Sequence, residues 1–337
     1  MNLPRFEYLK PRDLGEAVGM LHDLGEDCKI LAGGTDILVR MKHRLLTPKY
    51  LMSLKSLNGL CNIRNENGFV CIGAGTSLSE ITKSQAFKKR HPALFQAINS
   101  VGAATIQHHR GTISGNLSQD TRCLHYNQSA FWRSTKPACH KAGGKTCYAR
   151  ADSDRCHGTF QSDCAPALIA LDAHVVLNRK NGSRTLPLVD FYSSNGEAPL
   201  SLEPDEILTE IRIPEPQEGN GSSYKRLSYR SAIDYPIASV GAFVNVVDAV
   251  INDARIVVGA VSRAPLFLTQ VSKQLSGVPI SDKTALQKAA DNTMDLASAF
   301  AVDNVGSSLE YRIQMISVLA RRALEAAIVT CTDSDLS

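Results

Sequence analysis

Between Cys123 and Cys156 the chain reads CLHYNQSAFWRSTKPACHKAGGKTCYARADSDRC, with no apolar repeat at helical or strand spacing. Such a stretch has no face of its own to bury, and so long a loop inside a compact domain needs something else to order it. The candidates are its four cysteines, Cys123, Cys139, Cys147 and Cys156, separated by 15, 7 and 8 residues. Disulfides suit an oxidising compartment, but the N-terminus MNLPRFEYLKPRDLGEA has no apolar leader and the nine cysteines are an odd number. Zinc sites usually bring close C-x2–4-C pairs, and none occurs here. A 4Fe–4S cube has its irons at separate corners, so each thiolate can arrive on its own turn of loop. His125, Lys136, His140, Lys141, Lys145, Arg150 and Arg155 surround the cysteines and suit a net anionic centre. The remaining reading is a surface loop with incidental thiols.

A chain of 337 residues suits two or three domains. The net charge of +4 is slight for this length, and the basic residues gather in one loop, which argues against nucleic-acid binding. No apolar run approaches the ~18 residues of a membrane span. The expected setting is the cytoplasm, with reduced thiols and no membrane contact.

From the start, Phe6–Leu9 reads as a strand and Asp13 with Glu16 as the opening of a helix that Gly25 stops. The stretch KILAGGTDILVRMK is a strand to Ala32, a tight turn Gly33-Gly34-Thr35-Asp36, and a helix or strand from Ile37 to Lys42. Adjacent glycines allow close backbone approach, and successive amides can cradle a pyrophosphate, with Asp36 free for a ribose hydroxyl. The pattern is neither a Rossmann fingerprint nor a P-loop, and a double glycine is most often only a turn. Tyr50–Leu54 and Phe69–Ile72 read as strands, Ser77 with Glu80 as a capping box, and Ala93–Val101 as a helix. Thr112, Gly115 and Asn116 form a second small-residue loop. His108 and His109 read as solvated and take no catalytic role. Asp163 caps a short apolar helix over Ala165–Ala173, or else accepts hydrogen bonds from a cofactor's hydroxyls. Cys164 reads as helix packing.

Val175–Leu177 and Arg184–Leu188 flank a hairpin signal at Asn181-Gly182, and Glu206–Ile213 alternates as a strand. EPQEGNGSS, residues 215–223, is the candidate linker. Beyond it lie strands of an antiparallel sheet, then helices over Lys283–Ala299 and Ser308–Val329, and a frayed tail. The predicted class is α+β, with domains at 1–218 and 222–330 and the cysteine insertion at about 120–160.

ILAGGTDIL, TISGNL, SDCAPALIALDA and YKR-x5-SAIDYP together resemble the FAD-binding subunits of the molybdenum hydroxylases, which include xanthine dehydrogenases, aldehyde oxidoreductases and carbon monoxide dehydrogenases. The cysteine insertion, with QDTRC-x2-YNQS-x2-WR and SDRC, is similar to that of 4-hydroxybenzoyl-CoA reductase beta subunits, which carry an additional 4Fe–4S cluster. The resemblance implies a two-part FAD-binding domain of the molybdopterin dehydrogenase type and a C-terminal antiparallel sheet with helices. It implies that Ile30, Leu31, Ala32, Gly33, Gly34, Thr35, Asp36 and Ile37 wrap the FAD pyrophosphate. Thr112, Ile113, Ser114, Gly115 and Asn116 would form the second cofactor loop, Asp163 would hold the ribityl chain, and Leu208 and Lys225 would contact the flavin. Cys123, Cys139, Cys147 and Cys156 would ligate the cluster. Ser114 stands where a glycine is usual, which matters if the position needs positive φ. The implied partners are a molybdopterin-bearing large subunit, a small subunit with 2Fe–2S clusters, a second heterotrimer and a ferredoxin-like carrier. The implied work is electron transfer, with reductive dehydroxylation of an aromatic acyl-CoA on the partner. The alternatives are a flavoprotein subunit of an aldehyde or N-heterocycle dehydrogenase and, more distantly, a binding protein with structural zinc.

Overall fold

The computed structural model describes residues 2–57, 59–304 and 306–334. The chain opens with β1 (Glu7–Leu9), α1 (Leu14–Leu24), β2 (Cys28–Leu31), α2 (Ile37–Lys42) and β3 (Tyr50–Ser53). The strands form a small parallel sheet in the order β1-β3-β2. Asp13 caps α1 by accepting from the Glu16 amide at 2.8 Å, and Gly25 ends the helix at φ +54°. The Glu16 carboxylate turns instead to the Arg12 amide, so the reciprocal half of the box is absent.

Next come β4 (Ile63–Glu66), β5 (Phe69–Gly73), α3 (Leu78–Lys83), α4 (Gln85–Arg90), α5 (Pro92–Ser100), α6 (Ile113–Leu117), α7 (Ala130–Ser134), α8 (Cys164–Ala170), β6 (His174–Arg179), β7 (Gly182–Pro187) and β8 (Ile207–Pro214). The five strands pair antiparallel in the order β4-β5-β8-β6-β7. Ser77 and Glu80 form both halves of the capping box on α3.

The last part holds β9 (Asn220–Leu227), β10 (Ala238–Val247), β11 (Val250–Gly259), β12 (Leu266–Phe267), α9 (Thr269–Leu275), α10 (Lys283–Ser298) and α11 (Leu309–Ser334). The sheet order is β12-β11-β10-β9, all antiparallel. β9 starts at Asn220, so the segment expected as a linker is partly strand. The expected tail is helical to Ser334, and residues 335–337 lie outside the described residues. Asp248 and Ala249 turn β10 into β11 with φ of +50° and +60°, conformations that favour Asn-Gly. The architecture is α+β, as the sequence implies. Among the described residues no helix is long and apolar enough to cross a membrane.

α8 joins the two larger sheets. All seven of its residues are buried, and its core packing runs from Val175 and Ile211 of the middle sheet to Phe243 and Val257 of the last. Gly241 and Gly259 make this possible. A Cβ on Gly241 would lie 2.4 Å from the Pro166 carbonyl oxygen, and one on Gly259 would lie 2.5 Å from the Pro166 ring.

At the start of α11, Arg312 is fully buried and meets no carboxylate at bonding distance among the described residues. It donates to the carbonyls of Ile237, Val302 and Ala260 at 3.0, 2.5 and 3.0 Å, and burial pushes its pKa down to about 10. Arg312→Met keeps the stem but leaves those carbonyls without that donor. It should lower unfolding free energy by roughly 2–4 kcal/mol, read as a lower urea midpoint.

Candidate functional site

The turn after β2 and the segment before α6 meet face to face. A Cβ on Gly33 would lie 2.0 Å from the Arg110 carbonyl oxygen and 2.8 Å from Gly111 Cα. The bare Gly33 backbone thus serves first to bring two loops together. Gly34 supplies the left-handed step of the turn at φ +83°. Between these loops opens a cavity of about 700 Å3. Ile30, Ala32, Gly33, Gly34, Thr35, Asp36, Ile37, Thr112, Ser114, Gly115, Asn116, Asp163 and Leu208 line it. Leu31, Ile113 and Lys225 do not. Ile113 is fully buried in the core. Lys225 lies between Tyr224 and Arg226, which both reach Asp163, so the strand alternation turns its side chain the other way.

The Thr112–Asn116 stretch forms the capped first turn of α6. Thr112 Oγ1 accepts from the Gly115 amide at 3.1 Å and lies 3.2 Å from Ser114 Oγ. Ser114 has no positive φ, so serine is compatible with the backbone there. Asn116 Oδ1 accepts from Ser162 Oγ at 2.6 Å and from the Cys164 amide at 3.2 Å, and Ser162 Oγ accepts from the Ala165 amide. These two residues, in place of Asp163, satisfy the start of α8. His108 is buried, with Nε2 2.7 Å from the Val101 carbonyl oxygen, while His109 is exposed.

Released from capping, Asp163 faces the cavity. Tyr224 Oη donates to it at 2.7 Å and Arg226 Nη1 at 3.2 Å. Burial pushes its carboxyl up to about 6, with Arg226 and Tyr224 opposing that rise. The same arrangement recurs around the wall. Asp36 is backed by Arg122 at 3.2 Å, Glu206 by Arg184 at 2.7 Å, and Asp234 by Arg230 at 3.1 Å. Asp120 takes Arg40 at 2.7 Å and Lys141 at 2.5 Å. Each carboxylate lines the cavity, whereas Arg122, Arg184, Arg226, Arg230 and Lys141 stand behind it. Burial raises the Asp36 pKa against the pull of Arg40 and Arg122. Glu206 has its pKa lowered because the Arg184 hydrogen bond and other partners outweigh burial.

Sequence reasoning missed Arg40, Asp120, Arg122 and Tyr235. Arg122 lies 3.9 Å from the centre of the Tyr235 ring, which lines the cavity. The available signals were the SAIDYP motif, which contains Tyr235, and the position of Arg122 just before Cys123.

Residues 123–158 leave and rejoin the fold through a neck where Arg122 and Thr159 exchange both backbone hydrogen bonds, at 2.7 and 2.8 Å. Asn304 braces the neck by accepting the Leu124 amide at its carbonyl and donating to the His157 carbonyl at 2.9 Å. Within the loop, Cys123, Cys139, Cys147 and Cys156 line one small pocket of about 20 Å3. All nine cysteines are free, and burial pushes the Cys123 thiol up to about 11. Among the described residues no three His, Cys, Asp or Glu form a group that could hold a metal ion. Cys164 is fully buried in α8, as packing requires.

The larger cavity fits FAD in size, since dinucleotide and drug-sized sites span ~300–1,000 Å3. It also fits in chemistry, because Arg40 Nε is a buried donor without a partner at the wall. The thiol pocket offers the right donor set for a cube, although the loop must widen around one. Gly33→Ala should cost roughly tenfold or more in FAD affinity, because the contact with Arg110 must open, measured by flavin fluorescence titration. A second expectation concerns pH. The folded pKa of Asp163 lies above that of an exposed aspartate, so its protonation favours the folded state. That contribution is full below about pH 4 and is lost as pH rises through about 6. Asp163→Asn cannot ionise, so its melting temperature relative to wild type should climb between those limits in the flavin-free protein.

Residues 4–216 match the family described as FAD binding domain in molybdopterin dehydrogenase, and residues 222–327 match the CO dehydrogenase flavoprotein C-terminal domain. The carbon monoxide dehydrogenase medium chain of Afipia carboxidovorans is 30% identical, covering 96% of each chain. The nicotinate dehydrogenase FAD-subunit of Eubacterium barkeri is 29% identical over 87% of this chain and 88% of its own. The solved carbon monoxide dehydrogenase of Hydrogenophaga pseudoflava superposes with a TM-score of 0.79 at 28% identity, covering 98% of this chain and 100% of that one. The chain belongs to this family and is an FAD-binding subunit of a molybdenum hydroxylase oxidoreductase.

Proposed function

We propose that this chain is the electron-transferring flavoprotein subunit of a molybdenum-containing dehydrogenase whose partner subunit oxidises an aldehyde, an N-heterocycle or a comparably small molecule. Its cysteine loop carries a 4Fe–4S cluster on Cys123, Cys139, Cys147 and Cys156. One observation carries the reading: a cavity of FAD size and a four-thiol pocket share a thin wall. Glu197 lines the cavity and accepts from the Cys156 amide at 3.3 Å, and a Cβ on neighbouring Gly196 would lie 3.1 Å from Cys156 Sγ. The four thiols share one pocket, and four thiolates are the donor set of a cube with one iron per sulfur. The dehydrogenase names of the relatives support substrate oxidation.

When bound, FAD exchanges electrons in pairs and can pass them singly to an iron–sulfur centre. The protein's part is to hold it. The Gly33–Asp36 turn takes the pyrophosphate end, Asp36 a ribose hydroxyl, and Asp163 the ribityl hydroxyls, with Leu208 against the ring. Substrate chemistry falls to a large molybdenum subunit, reached through a small subunit with 2Fe–2S clusters. A dimer of such heterotrimers in the cytoplasm completes the assembly.

The loop favours a second reading, the beta subunit of a 4-hydroxybenzoyl-CoA reductase. Electrons would then enter from a ferredoxin-like carrier and run inward to remove a phenolic hydroxyl. The test is anaerobic purification of the complex, with metal, sulfide and flavin analysis. Turnover of aldehydes or N-heterocycles supports the first reading, and ferredoxin-driven reduction of 4-hydroxybenzoyl-CoA the second. Cys139→Ser should take the loop's roughly four irons to near none. Zinc in place of iron, or iron unchanged by this substitution, would remove the cluster from the loop.

A further inference from the structure

Lys141 comes from the cysteine loop, more than a hundred residues along the chain from the glycine turn, yet its ammonium ends at the cofactor wall. Its side chain is only 5% exposed. It donates to Asp120 Oδ1 at 2.5 Å, to the Gly196 carbonyl at 2.8 Å, and to Thr121 Oγ1. Asp120 and Glu197 both line the cavity, so Lys141 stands against two of its wall segments at once. The wall is heavily acidic, with Glu26, Asp36, Asp120, Asp163, Glu197 and Glu203 among its lining residues. The pyrophosphate of FAD brings negative charge into that space. Each buried acid must therefore be neutralised locally, because charges at this depth are weakly screened. Asp120 has two cations for this, Arg40 and Lys141.

We propose that Lys141 is a positioning residue of the FAD site: it offsets the charge of Asp120 and pins the wall at Gly196, so that flavin affinity depends on the cysteine loop. The inference rests on the cavity being the FAD site and is independent of what the thiols bind. Linkage makes the dependence reciprocal, so FAD also holds the loop in place.

The test uses the full chain, stripped of flavin and titrated with FAD by fluorescence. Lys141→Met should weaken binding by about tenfold, and Lys141→Arg, which keeps the charge, should recover most of the loss. The discriminating variant is Lys141→Met with Asp120→Asn, in which the carboxylate left with Arg40 as its one remaining cation is gone. Its affinity should exceed that of Lys141→Met alone by about threefold or more. A structural defect alone would not be repaired by a second substitution. Wild-type affinity in Lys141→Met overturns the proposal, as does failure of the double variant to recover. A wild-type chain that binds no FAD overturns the flavin site itself and this inference with it.

Discussion

Dianionic cofactors and carboxylate walls repel, and the cations packed behind this cavity resolve that conflict. They come from the cysteine loop and its neck, the middle sheet and the last sheet. Arg122 sits at the loop neck, Lys141 inside the loop, Arg184 on β7, Arg226 on β9 and Arg230 just beyond it. Placing the cations one layer back leaves the carboxylate oxygens facing the cavity, where in the proposed FAD site they would accept from sugar hydroxyls. The exposures differ in the expected direction, from 7% for the Arg226 side chain to 66% for Arg230. The pair with the least water around it also shows the strongest rise in carboxyl pKa.

α8 is the mechanical counterpart. Asp163, just before its first turn, lines a cavity that Ile207 and Leu208 of the middle sheet also line, while being held by residues of the last sheet. Gly241 and Gly259 let the helix lie directly on β10 and β11. That approach brings Tyr224 and Arg226 of β9 within reach. Asn116 and Ser162 take over the helix amides, which leaves the aspartate free.

Local rules carried much of the fold into the sequence. Asp13 and Ser77 cap helices because their partners lie three residues on, and Asn181-Gly182 marks a hairpin for the same local reason. The Gly33-Gly34 turn was legible as a turn, but its opposing backbone at Arg110 was not. Asp163 read as a cap or as an acceptor for a cofactor's hydroxyls; the residues that hold it, Tyr224 and Arg226, lie 61 and 63 residues away and left no mark nearby. β4 and the Asp248–Ala249 hairpin escaped because their residues carry weak strand and turn preferences, and pairing with neighbours overrides them. His108 looked solvated until its carbonyl partner seven residues back came into view.

The neck at Arg122 and Thr159 gives the insertion an unusual genetic freedom. Two hydrogen bonds close it, so residues 123–158 begin and end side by side and could be excised or transplanted without rerouting the surrounding chain. Lys141 sets the condition on any such graft. A descendant that discarded the appendage would keep an acid at 120 with one cation fewer, and would be under pressure to replace it by a neutral side chain. A recipient scaffold that acquired the appendage would need a carboxylate there to receive it.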